Sequence, residues 1–326
     1  MPKEFKTSFF LQNRHIQTVY SSLFRKSQSL NYKIEKFTLS DGDFLECYWY
    51  GGKQESSTQP LVILFHGLAG NYKSPYIQGA VLELAKSGFE SVIMHFRGCT
   101  GNDNLLSRSY HSGETGDALE FARALKNRYP KRELYAAGYS LGANMLLKLL
   151  GETGNESPFD KCVAVSPPMD LKECADRINE GVSRYYQHRL VKELNTALQK
   201  KYKCHDMQKL IGLKCEDIQK IKTFWEFDDA YTSVIHGFGN AQNYYEKCSS
   251  KQFLKNIVTP TLLIHAKDDP FMSEKVIPKA EELSSSIEFE LYENGGHVGF
   301  IAGSLLNPEF WLEKRIKDYF LEGSTS

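Results

Sequence analysis

Short apolar runs recur along the chain with helical stretches between them, and this alternation restricts the possible folds more than any other feature. The run LVILF at 61–65 has no polar alternation, which is typical of a strand buried on both faces of a parallel sheet. Segments 76–88 and 117–129 show helical periodicity. The alternation predicts an α/β fold with a mostly parallel, doubly wound sheet. Five similar runs follow LVILF: SVIMHF (91–96), LYAAGY (134–139), CVAVS (162–166), TLLIHA (261–266) and FELYE (289–293).

Two regions depart from this alternation. Residues 32–50 read as two strands around Asp41-Gly42-Asp43, a hairpin signal. Residues from about 171 to 250 are first charged and helix-like and then aromatic-rich, with no clear buried strand. We therefore predict one domain over 1–326, with a core at about 32–170 and 251–322 and a helical cap inserted at about 171–250. Its aromatic residues either roof an acyl pocket or pack the cap onto the core: Phe224, Trp225, Phe227, Tyr231, Phe238, Tyr244 and Tyr245.

Composition narrows the class of protein. Forty basic and forty acidic residues cancel, so neither a nucleic-acid partner nor a charge-driven partner is expected. The seven cysteines form no CxxC pair, which favours reduced thiols in a cytoplasmic protein. The N-terminal stretch lacks the apolar core of a signal peptide, and no run reaches the length of about 18 apolar residues that a membrane span needs. No metal or cofactor is expected, because no HExxH-like ligand cluster is present.

Gly138-Tyr139-Ser140-Leu141-Gly142 matches the pattern G-x-S-x-G and lies between an apolar strand and a helical segment. A nucleophile elbow is a strand-to-helix turn so tight that residues beside the serine must lack bulk. The helix that follows directs free N–H groups towards developing negative charge. Ser140 is therefore the predicted nucleophile.

A serine hydroxyl needs a base, and the base needs an acid that orients it. In this type of fold the chain order is serine, acid, histidine. His297 lies in a glycine-rich loop after the last strand and is the predicted base, whereas His265 lies inside an apolar run. Asp269 is the predicted acid from the pattern A-x-x-D-P. Asp268 beside it and the earlier Asp170 stay as alternatives.

Two backbone N–H groups are needed to bind the oxyanion of a tetrahedral intermediate. Leu141 follows the nucleophile and supplies one. Leu68 in the sequence His66-Gly67-Leu68-Ala69-Gly70 supplies the other, and His66 is expected to hold that loop by hydrogen bonds. Arg97, His111 and Cys99 are expected to support the rim of the site.

The chain resembles the bacterial YheT family of hydrolases of the α/β-hydrolase superfamily (AB hydrolase family 4), which is related to Emb8-like proteins and to lipase-branch abhydrolase proteins. The resemblance covers almost the whole chain and places the family's triad on Ser140, Asp269 and His297. The matching segments are NRHIQT (13–18), FHGLAGNYKSPY (65–76), MHFRGCTGNDN (94–104), RSYHSGETGDALEF (108–121), AAGYSLGANML (136–146), FDDAYTSVIHGF (227–238), IHAKDDPFM (264–272) and GGHVGFI (295–301).

This likeness implies a carboxylic-ester hydrolase that acts on a small-molecule ester with an apolar acyl group. An acyltransferase or a thioesterase would use the same three residues, and the sequence does not separate these activities. A non-catalytic binding protein is a third hypothesis, which the intact motifs disfavour.

Overall fold

The computed structural model describes residues 4–51 and 59–322 and contains an eight-stranded sheet. The ends of the predicted 1–326 domain lie outside the described residues. The strands of this sheet are β1 (Lys33–Thr38), β2 (Phe44–Tyr50), β3 (Leu61–Phe65), β4 (Glu90–Met94), β5 (Leu134–Tyr139), β6 (Lys161–Val165), β7 (Thr261–Ala266) and β8 (Ile287–Tyr292). Their order is β1-β2-β4-β3-β5-β6-β7-β8. All pairs from β4 through β8 are parallel, while β1–β2 and β2–β4 are antiparallel. The predicted fold class and the hairpin at 32–50 are confirmed.

Eleven α-helices occur in the described part of the chain. They are α1 (Arg14–Phe24), α2 (Pro75–Lys86), α3 (Gly116–Arg128), α4 (Leu141–Thr153), α5 (Leu171–Arg177), α6 (Ser183–Lys201), α7 (Met207–Ile211), α8 (Phe224–Phe227), α9 (Ser233–Ile235), α10 (Ala241–Cys248) and α11 (Trp311–Leu321). Helices α5 to α10 lie between β6 and β7, and we call residues 171–248 the helical segment. No described helix has the length and apolar character needed to cross a bilayer.

Strand β3 shows how the apolar runs generate the core. All five of its residues are buried, and successive side chains alternate between the two faces of the sheet. Ile63 and Phe65 join one apolar cluster, while Val62 and Leu64 join the other. A run without polar alternation is therefore what a strand covered by helices on both faces requires.

Two elements near the chain ends were not predicted from the sequence. Helix α1 begins at Arg14, and the side chain of Asn13 before it accepts hydrogen bonds from His15 N and Ile16 N and so caps the helix. A short antiparallel pair, β9 (Ile301–Gly303) and β10 (Pro308–Phe310), follows β8. Both elements lie close to the loop that joins β8 to β9, and that loop carries His297.

The turn from β5 into α4 depends on two glycines. A Cβ atom on Gly138 would lie 2.6 Å from the carbonyl oxygen of Gly142. A Cβ atom on Gly142 would lie 2.6 Å from the backbone oxygens of Phe65 and His66 at the end of β3. Since real Cβ contacts are not this short and the opposing atoms are backbone, neither position accepts a side chain without movement of a strand or a helix.

We predict that Gly142→Ala lowers the free energy of unfolding by about 1–3 kcal/mol, because the added methyl group pushes α4 away from β3. Gly116→Ala is the matched control, since its Cβ would meet only the flexible end of Glu114. Thermal and urea unfolding measure the difference. Equal stability of the two variants would contradict this account of the turn.

Candidate active site

Ser140 lies at the turn between β5 and α4 in an unusual backbone conformation. Its φ is 51° and its ψ is −119°, a region in which residues other than glycine are strained. The strain is held by the surrounding structure: Ser140 N donates to the carbonyl oxygen of Val165 on β6 at 2.9 Å. The conformation places the hydroxyl at the carboxyl end of the sheet, beside the N-terminus of α4.

The structure brings three of the predicted residues into one hydrogen-bonded row. His297 Nε2 lies 2.8 Å from Ser140 Oγ, and His297 Nδ1 lies 2.7 Å from Asp269 Oδ2. The Asp269 side chain is almost completely buried, and the imidazole is mostly buried. With Nδ1 protonated and bound to the carboxylate, Nε2 is left as an acceptor for the serine proton. This arrangement can generate a nucleophilic alkoxide from Ser140.

The three alternative candidates are placed elsewhere. Asp268 Oδ1 accepts a hydrogen bond from Gly296 N at 2.9 Å, so this carboxyl holds the histidine loop rather than the imidazole. Asp170 caps α5 through Glu173 N. His265 is buried in β7, where burial lowers its pKa to about 4.

The loop that carries His297 is anchored at successive N–H groups. Gly296 N is bound by Asp268, His297 N donates to Thr18 Oγ1 at 3.0 Å, and Val298 N donates to Ser166 Oγ at 3.2 Å. Three donors to three different parts of the chain fix the backbone on both sides of the imidazole. A loop held in this way keeps the candidate base in position before a substrate binds.

Helix α1 contributes most directly to this anchoring. Besides the Thr18 contact, the side chain of Gln17 accepts from Ile301 N at 2.7 Å and donates to Leu11 O and Ile301 O. The loop approaches the helix so closely that a Cβ on Gly299 would lie 2.4 Å from Gln17 O, and a Cβ on Gly296 would lie 2.6 Å from Arg14 O. The glycines around His297 are therefore required by contact with α1.

Phe271 touches both partners of Ser140. Its backbone N–H donates to Asp269 Oδ1 at 2.8 Å, which occupies the carboxylate oxygen that His297 leaves free. Its ring stacks on the His297 imidazole with centroids 4.2 Å apart and an interplanar angle of 28°. The ring of Tyr186 on α6 lies 5.0 Å from that of Phe271. This contact links the imidazole to the helical segment.

Both predicted oxyanion donors border the same space as Ser140. Leu141 is the first residue of α4, and Leu68 follows β3. The amides on either side of Leu68 are fixed: Gly67 N donates to Tyr76 OH at 2.9 Å, and Ala69 N donates to Tyr110 OH at 3.0 Å. These flanking bonds hold the Leu68 backbone at the cavity.

His66 holds the same loop, as expected from the sequence. Its Nε2 accepts from Phe96 N at 3.3 Å and its Nδ1 lies 2.7 Å from Gly67 O. Burial lowers the pKa of His66 to about 3, so the ring is neutral at physiological pH.

A family model for the alpha/beta hydrolase fold matches residues 60–304, about three quarters of the chain. The matched range includes Ser140, Asp269 and His297. The chain belongs to the α/β-hydrolase fold family.

Comparison with individual proteins adds detail to this family assignment. It is 43% identical over 307 residues to YheT of Escherichia coli strain K12, named as a candidate esterase, covering 94% of this chain and 90% of YheT. It is 26% identical over 297 residues to the phospholipase ABHD3 of Mus musculus, covering 88% and 71%. Among solved structures, the Pyrococcus furiosus esterase Pf2001 matches with a TM-score of 0.56 at 17% identity, covering 91% of this chain and 97% of the esterase, which shows a shared fold. The resemblance to the YheT group and the lipase branch is confirmed.

The cavity of this hydrolase at Ser140 and His297 has a volume of about 110 Å³ and is mostly apolar. Three of the seven predicted aromatic residues, Phe224, Tyr244 and Tyr245, line it. Of the other four, Tyr231 and Phe238 contact the core through Ser107, Ser109 and His111. Trp225 and Phe227 pack within the helical segment. The remaining lining residues are Leu68, Ser112, Leu141, Pro168, Leu171, Cys174, Ala175, Ile178, Leu190, Asp228, Phe271 and Met272.

Arg97 is buried below the rim and makes ion pairs with three carboxylates. Its guanidinium binds Asp117 through two bonds of 2.6 Å and binds Asp43 at 2.8 Å and Asp41 at 2.9 Å. This network joins the turn between β1 and β2 to α3, so the role of Arg97 is structural. Cys99 lies in the same region, and burial raises the pKa of its thiol to about 12, so it is not a reactive thiolate.

Among the described residues, His111, Glu114 and His236 place ligand atoms within 4.8 Å of one another. Their neighbours fit a hydrogen-bonded cluster better than a metal site. Gly113 N donates to His111 Nδ1 at 3.1 Å, whereas a histidine that binds metal through Nε2 needs a proton on Nδ1. Arg108 Nη1 also binds Glu114 at 2.8 Å. The His111 ring packs against the rings of His236 and Phe238, so it links the rim to the helical segment.

Sequence reasoning missed Thr18, Gln17 and Phe271. Thr18 binds the backbone of His297, and Phe271 contacts Asp269 and His297, whereas Gln17 binds Ile301 at the end of the histidine loop. None of the three signals catalysis by its residue type. The three positions lie in the segments NRHIQT and IHAKDDPFM, which belong to the family resemblance. The resemblance indicates that these segments matter, but it assigns no chemistry to the three residues.

We predict that Asp269→Asn lowers kcat by about 10⁴-fold, because the neutral amide no longer holds the productive imidazole tautomer. Asp268→Asn is the matched control one residue away. It keeps an oxygen for Gly296 N, so its effect is expected to be less than about tenfold. Turnover of p-nitrophenyl butyrate measures both. A larger loss for Asp268→Asn would reverse the assignment of the acid.

We predict that Thr18→Val lowers kcat by roughly 10- to 100-fold with little change in KM. The substitution leaves the His297 N–H without its acceptor, which costs about 1–3 kcal/mol and loosens the loop. Thr18→Ser restores the acceptor and is expected to recover most of the activity. Steady-state kinetics with a thermal-unfolding control separate loop positioning from global instability, and wild-type kcat in a folded Thr18→Val protein would contradict the role of α1.

Proposed function

We propose that the protein is a serine hydrolase that cleaves carboxylic esters through an acyl-enzyme. The observation that carries this proposal is the position of His297, with one ring nitrogen 2.8 Å from Ser140 Oγ and the other 2.7 Å from Asp269 Oδ2. Relatives named as a candidate esterase and a phospholipase support an ester as the substrate.

Acylation begins when Ser140 Oγ attacks the ester carbonyl carbon and its proton passes to His297 Nε2. The carbonyl oxygen becomes an oxyanion, which the backbone N–H groups of Leu68 and Leu141 bind. Collapse of the tetrahedral intermediate breaks the bond to the alcohol oxygen. His297 gives its proton to that oxygen, so the alcohol leaves neutral and the acyl group stays on Ser140.

Water then takes the place of the alcohol. His297 removes a proton from the water, the hydroxide attacks the acyl carbon, and the same two N–H groups bind the second oxyanion. Ser140 leaves with the proton from His297, which regenerates the enzyme and releases the carboxylic acid. Asp269 stabilises the imidazolium that forms in each half-reaction, and Phe271 stacks on its face.

In this proposal the helical segment acts as a cap over the site. Three residues of the helical segment, Leu171, Ile178 and Leu190, line the cavity together with Met272 from the core, so the acyl group of the substrate is apolar. An apolar acyl chain gains free energy by leaving water for such a surface, roughly 0.8 kcal/mol for each buried methylene. The seven cysteines all lie in the described residues and are unpaired, which supports a cytoplasmic location.

We predict that a fluorophosphonate probe labels the wild-type protein and that Ser140→Ala removes the label. Turnover of p-nitrophenyl butyrate is expected to fall by on the order of 10⁵- to 10⁶-fold in the same variant. Ser112→Ala is the matched control, because it removes a different hydroxyl from the same cavity and leaves the labelled serine in place. Intact-mass spectrometry and gel fluorescence report the adduct. A folded wild-type protein that takes no label would refute the proposed function.

A further inference from the structure

One carboxyl group in the cavity has no part in the proposed reaction. Asp228 lines the same space as Ser140 and His297, and most of its neighbours there are apolar. Carboxyl groups are rare in apolar cavities because removal of the charge from water is costly. The position of Asp228 therefore calls for an explanation.

The backbone at Asp228 is also unusual. Residues Asp228–Thr232 form a π-helical turn between α8 and α9. Such turns are rare and occur often at functional sites, because the wider turn changes the direction of its side chains. The turn falls within the segment FDDAYTSVIHGF, which belongs to the family resemblance and has no role in the triad.

The Asp228 carboxyl is held rigidly but is only partly satisfied. Thr232 Oγ1 donates to Oδ1 at 2.7 Å, and Tyr245 OH donates to Oδ2 at 2.8 Å. A carboxylate offers about four acceptor positions, so these two donors leave about half of them open. No lysine or arginine of the described residues forms an ion pair with Asp228.

Asp228 is only partly buried, and it lines the cavity. Its unfilled acceptor positions therefore favour a hydrogen-bond donor inside the cavity. The donor that fits best is neutral, because a cation would lose its hydration against apolar walls.

We propose that Asp228 binds a hydroxyl group of the substrate and thereby selects short esters that carry a free hydroxyl. The inference rests on the proposed function, since it assigns specificity to the same cavity. A cavity of about 110 Å³ is smaller than the roughly 150 Å³ cavity that holds a benzene ring. The hydroxyl therefore lies only a few bonds from the ester carbonyl.

The protonation behaviour of Asp228 suits this ligand. Burial raises the pKa of its carboxyl to about 6, so both protonation states are accessible near neutral pH. The carboxylate accepts a hydrogen bond from a hydroxyl, and the protonated form donates one to it. An ammonium group would be bound by the ionised form alone.

The test compares kcat/KM for two matched pairs of esters. Ethyl butyrate against 2-hydroxyethyl butyrate places the hydroxyl in the alcohol, and methyl butyrate against methyl 3-hydroxybutyrate places it in the acyl chain. The wild-type enzyme is expected to favour the hydroxylated member of one pair by about 10- to 100-fold, the range of a hydrogen bond to a charged group. The pair that responds identifies the side of the ester that Asp228 contacts.

Three variants separate recognition from structural support. Asp228→Leu is expected to bring the ratio of kcat/KM within each pair to about one. Asp228→Asn keeps the shape of the side chain and is expected to lower the ratio. It replaces the leucine variant if that variant does not fold. Tyr245→Phe removes a donor to the carboxyl and keeps the carboxyl itself, so the preference persists. Asp229→Asn, at the neighbouring acid, leaves turnover and preference unchanged.

Three results would overturn the inference and leave the proposed function intact. The first is fluorophosphonate labelling and plain-ester turnover without preference in either pair. The second is an equal loss of preference in Tyr245→Phe and Asp228→Leu, which would show that the hydrogen bond only supports the turn. Preference for a choline ester over both hydroxylated esters would also refute it. Absence of the fluorophosphonate label from the wild-type protein would instead refute the proposed function.

Discussion

The close approach of three backbone segments at the carboxyl end of the sheet is the constraint on which the site depends. The end of β3, the end of β5 and the first turn of α4 meet at Gly138 and Gly142 with no room for a side chain. That contact forces Ser140 into a strained conformation with φ of 51°. The strain costs free energy. The packing of the buried strands on both sides offsets this cost and holds the turn in place. The position of Ser140 is therefore a property of the whole sheet.

The histidine side of the site is built in a different way. The loop around His297 ends at the buried Phe300, and hydrogen bonds hold the residues beside the imidazole. Asp268, Thr18 and Ser166 each accept from one of its successive amides. In the proposed mechanism, a rigid nucleophile thus faces a base whose backbone is held by polar contacts, so substitutions that weaken those contacts affect proton transfer before they affect the fold.

Much of this could be predicted from sequence, for identifiable reasons. The parallel strands were predictable because LVILF and similar runs lack polar alternation, and the candidate nucleophile because G-x-S-x-G sits between a strand and a helix. Asp269 and Asp268 are neighbours, and only the direction of the backbone turn decides which carboxyl faces the imidazole. The roles of Thr18 and Asp228 could not be predicted, because one depends on a contact across 279 positions and the other on a local π-turn. Pattern reasoning works on local periodicity, and such contacts leave no periodic signal.

The contact between α1 and the histidine loop has a consequence for how the protein is made. Thr18 and the loop that it holds are separated by 279 positions, so helix α1 is synthesised well before that loop. Until the loop has been made, Thr18 lacks the His297 N–H as a hydrogen-bond partner. The turn at Ser140 is likewise made before His297, so a chain cut between the two carries the turn without its proposed proton acceptor. In the proposed mechanism, hydrolysis begins only when helix α1 and the histidine loop have met.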